Sequence, residues 1–246
     1  YRSLTYPLLA LAVILLIAIH FSDFGLSAGG SARWLRFGKW SFQPSEFARF
    51  AMIVFLAYSM DKKGERLKQF SIGFVPHMAV FGVFAYCIIR QPDFGSVVIL
   101  AALTWLMMFV GGVRCLHLLT SLVVILLPVA FYLLKSSPYR MSRILGFLNP
   151  WQYPADEGYQ IIHSLMAFGT GGLWGTGIGK GYQKLFYLPE PHTDFIFSII
   201  GEEFGLMGVM VIIVLYAWIL LKGIKISRNA PDVYGSLMAV GLTAAM

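Results

Sequence analysis

FIFSIIGEEFGLMGVMVIIVLYAWILL, residues 195–221, is the stretch whose reading decides the fold. About 20 helical residues cross a hydrocarbon core, and residues 204–221 alone come close to that without a single charge. Working outward, comparable apolar runs occupy 4–20, 70–89, 94–110 and 116–134, with a shorter one at 44–60 and a seventh that begins near Val233 and stops at Met246. The expected fold class is therefore an all-α polytopic membrane protein, a helical bundle in which this chain covers about seven spans. Residues 1–246 read as a single transmembrane domain and as a fragment of a longer chain. No signal peptide is visible, because Tyr1 opens almost directly into a span.

Composition agrees. Of 246 residues 58% are hydrophobic and 13% charged, against roughly 25% charged in soluble domains. The net charge of +7 reports basic loops facing an anionic cytoplasmic leaflet, and no nucleic-acid partner is expected. Cys87 and Cys115 are too few for a disulfide framework or a four-ligand zinc site and read as small packing residues.

Threading the runs alternately puts 61–69, 111–115 and 222–232 on one side together with Arg2, and these hold nine Lys/Arg. The short segments opposite, 21–43 and 90–93, hold four: Arg33, Arg36, Lys39 and Arg90. Long segments vote poorly in this count, so the first side is read as cytoplasmic. Cys87 and Cys115 then fall near opposite faces. The segment 135–194 becomes a large extracytoplasmic loop, too long for a mere connection, and function is expected there.

Within that loop, GYQIIHSLMAF (158–168) puts Ile161, Ile162, Leu165, Met166 and Phe168 on one helical face and Gln160, His163 and Ser164 largely on another. Such a piece would lie in the membrane surface or dip into it. GTGGLWGTGIGKG (169–181) follows, with seven glycines in 13 residues, a composition that permits tight turns and close backbone approach. It is no P-loop: Gly179-Lys180 is followed by Gly181, and Trp174 stands where the first glycine belongs. GLSAG (25–29) fits GxSxG, but a nucleophile elbow needs a strand-to-helix turn on an α/β sheet, which this sequence does not offer.

Polar groups in or near spans carry more information, since a charge at the bilayer centre costs about 2.5–3.5 kcal/mol on insertion scales. Glu46 and Arg49 are three apart on one helical face and can pair. Asp93, in RQPDFG, can cap the following helix. Glu202 and Glu203 lie about 10 Å along the helix from Phe195, between Gly201 and Gly205; structural and functional roles stay open for them. Asp194 can cap a helix too, but Glu190, His192 and Thr193 precede it and Lys184 stands ten residues back. With Arg33, Arg36 and Lys39 on the same side, a carboxylate ringed by cations at membrane level suits an anionic lipid substrate.

The strings RWLRFGKWSFQPSEFAR (33–49), RQPDFGS (90–96), GYQIIHSLMAFGTGGLWGTGIGKGYQK (158–184) and YLPEPHTDFIFSIIGEEFGL (187–206) resemble the SEDS family of bacterial cell-wall proteins, whose members include FtsW, RodA and SpoVE. The likeness runs from about residue 29 to 208, and GYQK ahead of YLPEPHTDF is closer to the FtsW and SpoVE branch than to RodA. The resemblance implies a ten-span fold in the bacterial cytoplasmic membrane, with the active site on the extracytoplasmic face. It implies a peptidoglycan glycosyltransferase that polymerises lipid II and is partnered by a class B penicillin-binding protein, a transpeptidase. By the same resemblance Asp194 is catalytic, while Arg33, Glu46, Arg49, Lys184, Glu190 and His192 belong to activity or to cleft structure. Two spans before Tyr1 and most of two after Val233 are missing from the ten-span pattern, and the spacing of Lys39 varies.

The mechanism expected from these residues is an inverting one. Asp194 acts as general base on an acceptor sugar hydroxyl, which displaces undecaprenyl diphosphate directly. One carboxylate suffices, because a diphosphate leaves without the proton that a glycosidase must supply. Arg33, Lys39, Arg90 and Lys184 are the candidates for neutralising its charge, with Gln160 and His163 as further substrate contacts and magnesium or manganese as a candidate helper. Neither a nucleotide nor haem is expected. Two alternatives stand: a lipid II flippase, with Glu46, Arg49, Glu202 and Glu203 along a head-group path, and a non-catalytic scaffold for the transpeptidase.

Overall fold

The structure, a computed structural model, describes residues 2–21, 25–28, 31–37, 40–156, 158–183 and 195–246. Among them the helices are α1 (Thr5–Phe21), α2 (Pro44–Lys63), α3 (Val75–Ile89), α4 (Phe94–Val110), α5 (Cys115–Ser121) continuing into α6 (Leu127–Lys135), α7 (Pro138–Leu148), α8 (Tyr159–Gly171), α9 (Ile196–Arg228) and α10 (Val233–Ala244), so that each expected apolar run is helical. Among the described residues four stretches are long and apolar enough to cross a membrane: Arg2–Ile19, Phe70–Ile89, Cys115–Lys135 and Ile196–Arg228. Phe94–Val110 and Val233–Ala244 are shorter apolar helices. The chain divides into two compact units, Tyr1–Leu122 with Leu220–Met246, and Val123–Ile219.

In the first unit α2 is the central element and packs on α1, α4 and α10. Its ends follow from local chemistry. Pro44 opens the first turn, where a missing N–H costs nothing, Glu46 sits in that turn and Lys62 and Lys63 in the last, as the helix dipole favours. Gly64 ends it at φ +49°. Its interior is closed on nearly all sides: Ala48, Ala51, Met52, Val54, Leu56, Ala57 and Met60 are fully buried. Alanines let neighbouring backbones come close, which is how helices gain packing energy where lipid removes the hydrophobic drive.

Polar ties between spans supplement this packing. Gln91 donates from Nε2 to the Leu16 carbonyl at 3.0 Å. Arg2 bridges Asp61 (3.2 Å) and Asp232, the latter also capping α10 through the Gly235 N–H. His77, fully buried, lies 2.9 Å from the Ser59 hydroxyl.

A three-stranded antiparallel sheet, β1 (Gly25–Ala28), β2 (Ser31–Phe37) and β3 (Trp40–Phe42), precedes α2. The hydropathy reading did not contain it, since strands this short leave no span-length signal. It also settles GLSAG. Gly25–Ala28 is a strand, but the next described element is its antiparallel partner, with Ala28 opposite Ser31, not the helix that an elbow requires.

In the second unit α8 is the helical piece expected at 158–168, and α7 is a further short helix inside 135–194. Ahead of them, Pro128 opens α6 directly after a π-helical turn, Leu122–Leu126. A proline inside a continuous helical span removes a hydrogen bond and crowds the preceding turn, and a wider turn absorbs that conflict.

Candidate active-site scaffold

The second unit carries the organised polar site, and it is built on a break in α9. Gly205 has φ +65° and ψ −164°, outside the helical region. The backbone groups freed there are met by the glycine-rich loop: Leu206 and Met207 donate to the carbonyls of Gly172 and Leu173 (2.9 and 3.3 Å), while the carbonyls of Glu202 and Glu203 accept from Thr176 and Gly177 (2.9 and 3.0 Å). Opening a helix at membrane depth is tolerated where neighbouring protein re-satisfies its N–H and C=O groups. Approach this close excludes side chains: a Cβ on Gly175 would collide with the Glu203 carbonyl, and one on Gly205 with Gly175 and Leu173.

Glu202 sits at the centre, with no solvent exposure. Its carboxylate accepts the Tyr182 N–H at 2.9 Å and the Gln183 N–H at 3.3–3.4 Å, and its carbonyl accepts a second bond from the Thr176 hydroxyl at 3.1 Å. Gln183 extends the network, its Oε1 lying 2.9 Å from His163 Nδ1, and the His163 ring packs 4.2 Å from that of Tyr159. Ser164 meets Ser198 hydroxyl to hydroxyl at 2.6 Å. His163 and Ser164 face the protein while Leu165 and Met166 are exposed, but Ile162, expected on the same apolar face as those two, is buried, so the amphipathic division suggested by the sequence holds only in part. The loop walls an open cavity of about 390 Å³ lined by Thr176, Gly179, Lys180, Gly181 and Tyr182. An apolar one of about 280 Å³ lies among Phe168, Gly172, Leu173, Gly201, Leu206 and Val209.

In the first unit Asp93 caps α4: Oδ1 accepts the Ser96 N–H at 3.2 Å and Oδ2 the Ser96 hydroxyl at 2.6 Å. Gln43, not singled out in the sequence, donates to the same Oδ2 at 3.4 Å. Arg49 and Glu46 pair at 2.9 Å. Arg90 is exposed and donates to the Tyr86 hydroxyl of its own helix at 2.9 Å; among the described residues it joins no carboxylate.

Of the other residues marked in the sequence, Gln160 lies half-buried on α8 and Glu203 is buried beside Glu202. Asp194, Lys184, Glu190, His192 and Lys39 lie outside the described residues, and Arg33 is described only as a position in β2. Among the described residues no three of His, Cys, Asp and Glu gather closely enough to hold a metal ion. Gln183, Thr176 and Gln43 escaped the sequence reading. The one available signal was Gly201 and Gly205 flanking two glutamates inside an apolar run.

The family model for FtsW, RodA and SpoVE, described as cell cycle protein, matches residues 1–246. The chain belongs to this family. Among FtsW/RodA/SpoVE relatives, the chain is 41% identical over 242 residues to the probable peptidoglycan glycosyltransferase FtsW of Geobacter metallireducens, covering 98% of this chain and 64% of that protein. It is likewise 41% identical to stage V sporulation protein E of Bacillus subtilis, over 98% of this chain and 66% of the relative. This chain thus spans slightly less than two thirds of the relatives' length. A solved structure on the structural coordination of polymerization and crosslinking by a peptidoglycan synthase complex aligns with TM-score 0.78 at 25% identity, over 99% of this chain and 67% of that one. The rod shape determining protein RodA of Thermus thermophilus shares the fold, with TM-score 0.65 at 21% identity over 99% and 62% of the two chains. The FtsW/RodA/SpoVE chain described here is accordingly a multi-pass membrane protein.

Proposed function

We propose that the protein containing this chain is a peptidoglycan glycosyltransferase of the bacterial cytoplasmic membrane that polymerises lipid II on the extracytoplasmic face. The observation that carries this reading is 41% identity across 98% of the chain to a protein named for that activity. Asp194 is the general base: it takes the proton of the acceptor's 4-hydroxyl as that oxygen bonds to the donor's anomeric carbon and undecaprenyl diphosphate departs. A single displacement converts an α-linked donor to a β-linked glycan. Arg33, Lys39, Arg90 and Lys184 neutralise the leaving diphosphate by charge-assisted hydrogen bonds. Magnesium or manganese would add positive charge at the same leaving group, and no described residue is assigned as its ligand.

A class B penicillin-binding protein is the partner that crosslinks the product, a reading supported by the likeness to a structure concerned with polymerization and crosslinking. A flippase would need the intramembrane acids to face a head group in transit. Glu202 instead spends its carboxylate on backbone N–H groups, and Glu46 is paired with Arg49.

The test is reconstitution of the full-length protein with its partner and fluorescent lipid II. Asp194→Asn should insert and bind the partner normally and lose at least about a hundredfold in glycan synthesis, within the range that general acid–base catalysis contributes. Near-normal chains from that variant would remove Asp194 from the chemistry, and head-group translocation without chains would identify a transporter.

A further inference from the structure

We propose that the C-terminal end of α9 and the turn into α10 form a binding site for the headgroup of an anionic phospholipid, with Lys222, Lys225 and Asn229 as its donors; this goes beyond the glycosyltransferase reading and does not depend on it. An open cavity of about 500 Å³ lies there, lined on α9 by Lys222, Lys225, Ile226 and Asn229 and closed by the turn that leads into α10. Small-ligand sites have volumes of about 300–1,000 Å³. The four α9 residues stand at i, i+3, i+4 and i+7, so they share one face of the helix, and all four are exposed.

Depth selects a lipid over a soluble anion. Residues 204–221 carry no charge and rise about 27 Å at 1.5 Å per residue, close to the roughly 30 Å of a hydrocarbon core. Lys222 is therefore the first charge at the membrane boundary, where phospholipid phosphates lie, and Lys225 follows one turn further out. Leu221 and Ile224 are exposed beside these donors, as is Ile226 in the cavity wall, and they offer apolar contact to the upper acyl chains.

The charge around the cavity is one-sided. Among the described residues none that lines it is acidic, and Lys225 joins no carboxylate. Asp232, in the adjoining turn, is already engaged through both oxygens: Oδ1 accepts the Gly235 N–H at 2.9 Å, and Oδ2 pairs with Arg2. Arg2 is held in turn by Asp61 and by the Tyr234 ring, 4.9 Å away. Basic residues in a last helical turn also answer the helix dipole, which accounts for Lys225 and Arg228 but leaves Lys222 outside that role. A phosphodiester presents one negative charge on two free oxygens, and two ammonium groups with a side-chain amide can bind it by charge-assisted hydrogen bonds. A choline headgroup adds a cation that the same lysines repel.

The experiment titrates the full-length protein in detergent with acyl-labelled phosphatidylglycerol and acyl-labelled phosphatidylcholine. Phosphatidylglycerol should bind at least tenfold more tightly. The double variant Lys222→Gln with Lys225→Gln should weaken it about ten- to thirtyfold, as two juxtamembrane charges imply. Lys62→Gln with Lys68→Gln removes two basic residues that do not line the cavity and should weaken it less than twofold. Thermal unfolding without added lipid should be unchanged in both doubles, so that lost binding is not lost folding. Equal affinity for the two lipids, full binding by the first double, or an equal loss in the second overturns the site. Displacement of labelled phosphatidylglycerol by millimolar inorganic phosphate, beyond that by chloride at equal ionic strength, overturns the lipid assignment in favour of a free anion.

Discussion

Helix α2 and the first half of α9 both depend on small residues, and they use them in opposite ways. In α2 the small residues are alanines, Ala48, Ala51 and Ala57, all fully buried. Alanine is the best helix former, so the helix stays continuous while neighbouring spans approach. In α9 they are Gly201, Gly205 and Gly208. Glycine has little helix preference and reaches positive φ without penalty, so α9 opens at Gly205 and lends two carbonyls and two N–H groups to a loop. One helix is spent on packing and the other on holding something beside it. The difference of one methyl group per position separates a core element from a scaffold element.

That contrast can be broken by exchanging its terms. The largest effect is expected from Gly205→Val, which forces a β-branched residue to positive φ and into Gly175 and Leu173. Left-handed strain and overpacking together cost about 2–6 kcal/mol, and glycan synthesis should fall further than the fraction of folded protein, as read by lipid II turnover against a thermal unfolding scan in detergent. Leu56→Ala, at a fully buried α2 site, should destabilise by about 2–5 kcal/mol. The protein that remains folded should keep its turnover number, and a selective loss of kcat would show that α2 is more than packing. Asp93→Ala should cost about 0.5–2 kcal/mol through the lost cap on α4, measured by the same scan, with Ser96→Ala reproducing only part of it because the Ser96 N–H keeps its acceptor.

Much of the fold was legible because insertion in a bilayer is decided by contiguous apolar length. Each helix from α1 to α10 that the hydropathy reading anticipated is present, and the ends of α2 follow from Pro44, Glu46, Lys62, Lys63 and Gly64. The Glu46–Arg49 pair and the Asp93 cap were readable too, since each involves residues three apart on one helix. The sheet over 25–42 was not, because a four-residue strand has no periodicity to detect and takes its meaning from the partner opposite. Nor was the choice between roles for Glu202. Two glutamates between glycines fit a head-group path, an interface position or an internal anchor equally well.

The sequence by itself determined that the chain crosses a membrane repeatedly, which stretches form its spans, and which family it resembles. These depend on sums over neighbouring residues: hydropathy along a run, a proline or acid in a first turn, a string of matched letters. Only the tertiary structure decided that α9 opens at Gly205, that the glycine-rich loop repairs the opening, and that Glu202 holds Tyr182 from a separation of 20 positions in the sequence. Such contacts form because an unmet N–H or C=O in a dry interior must find a partner. Which partner it finds depends on how the loop turns in space, and no local sum encodes that.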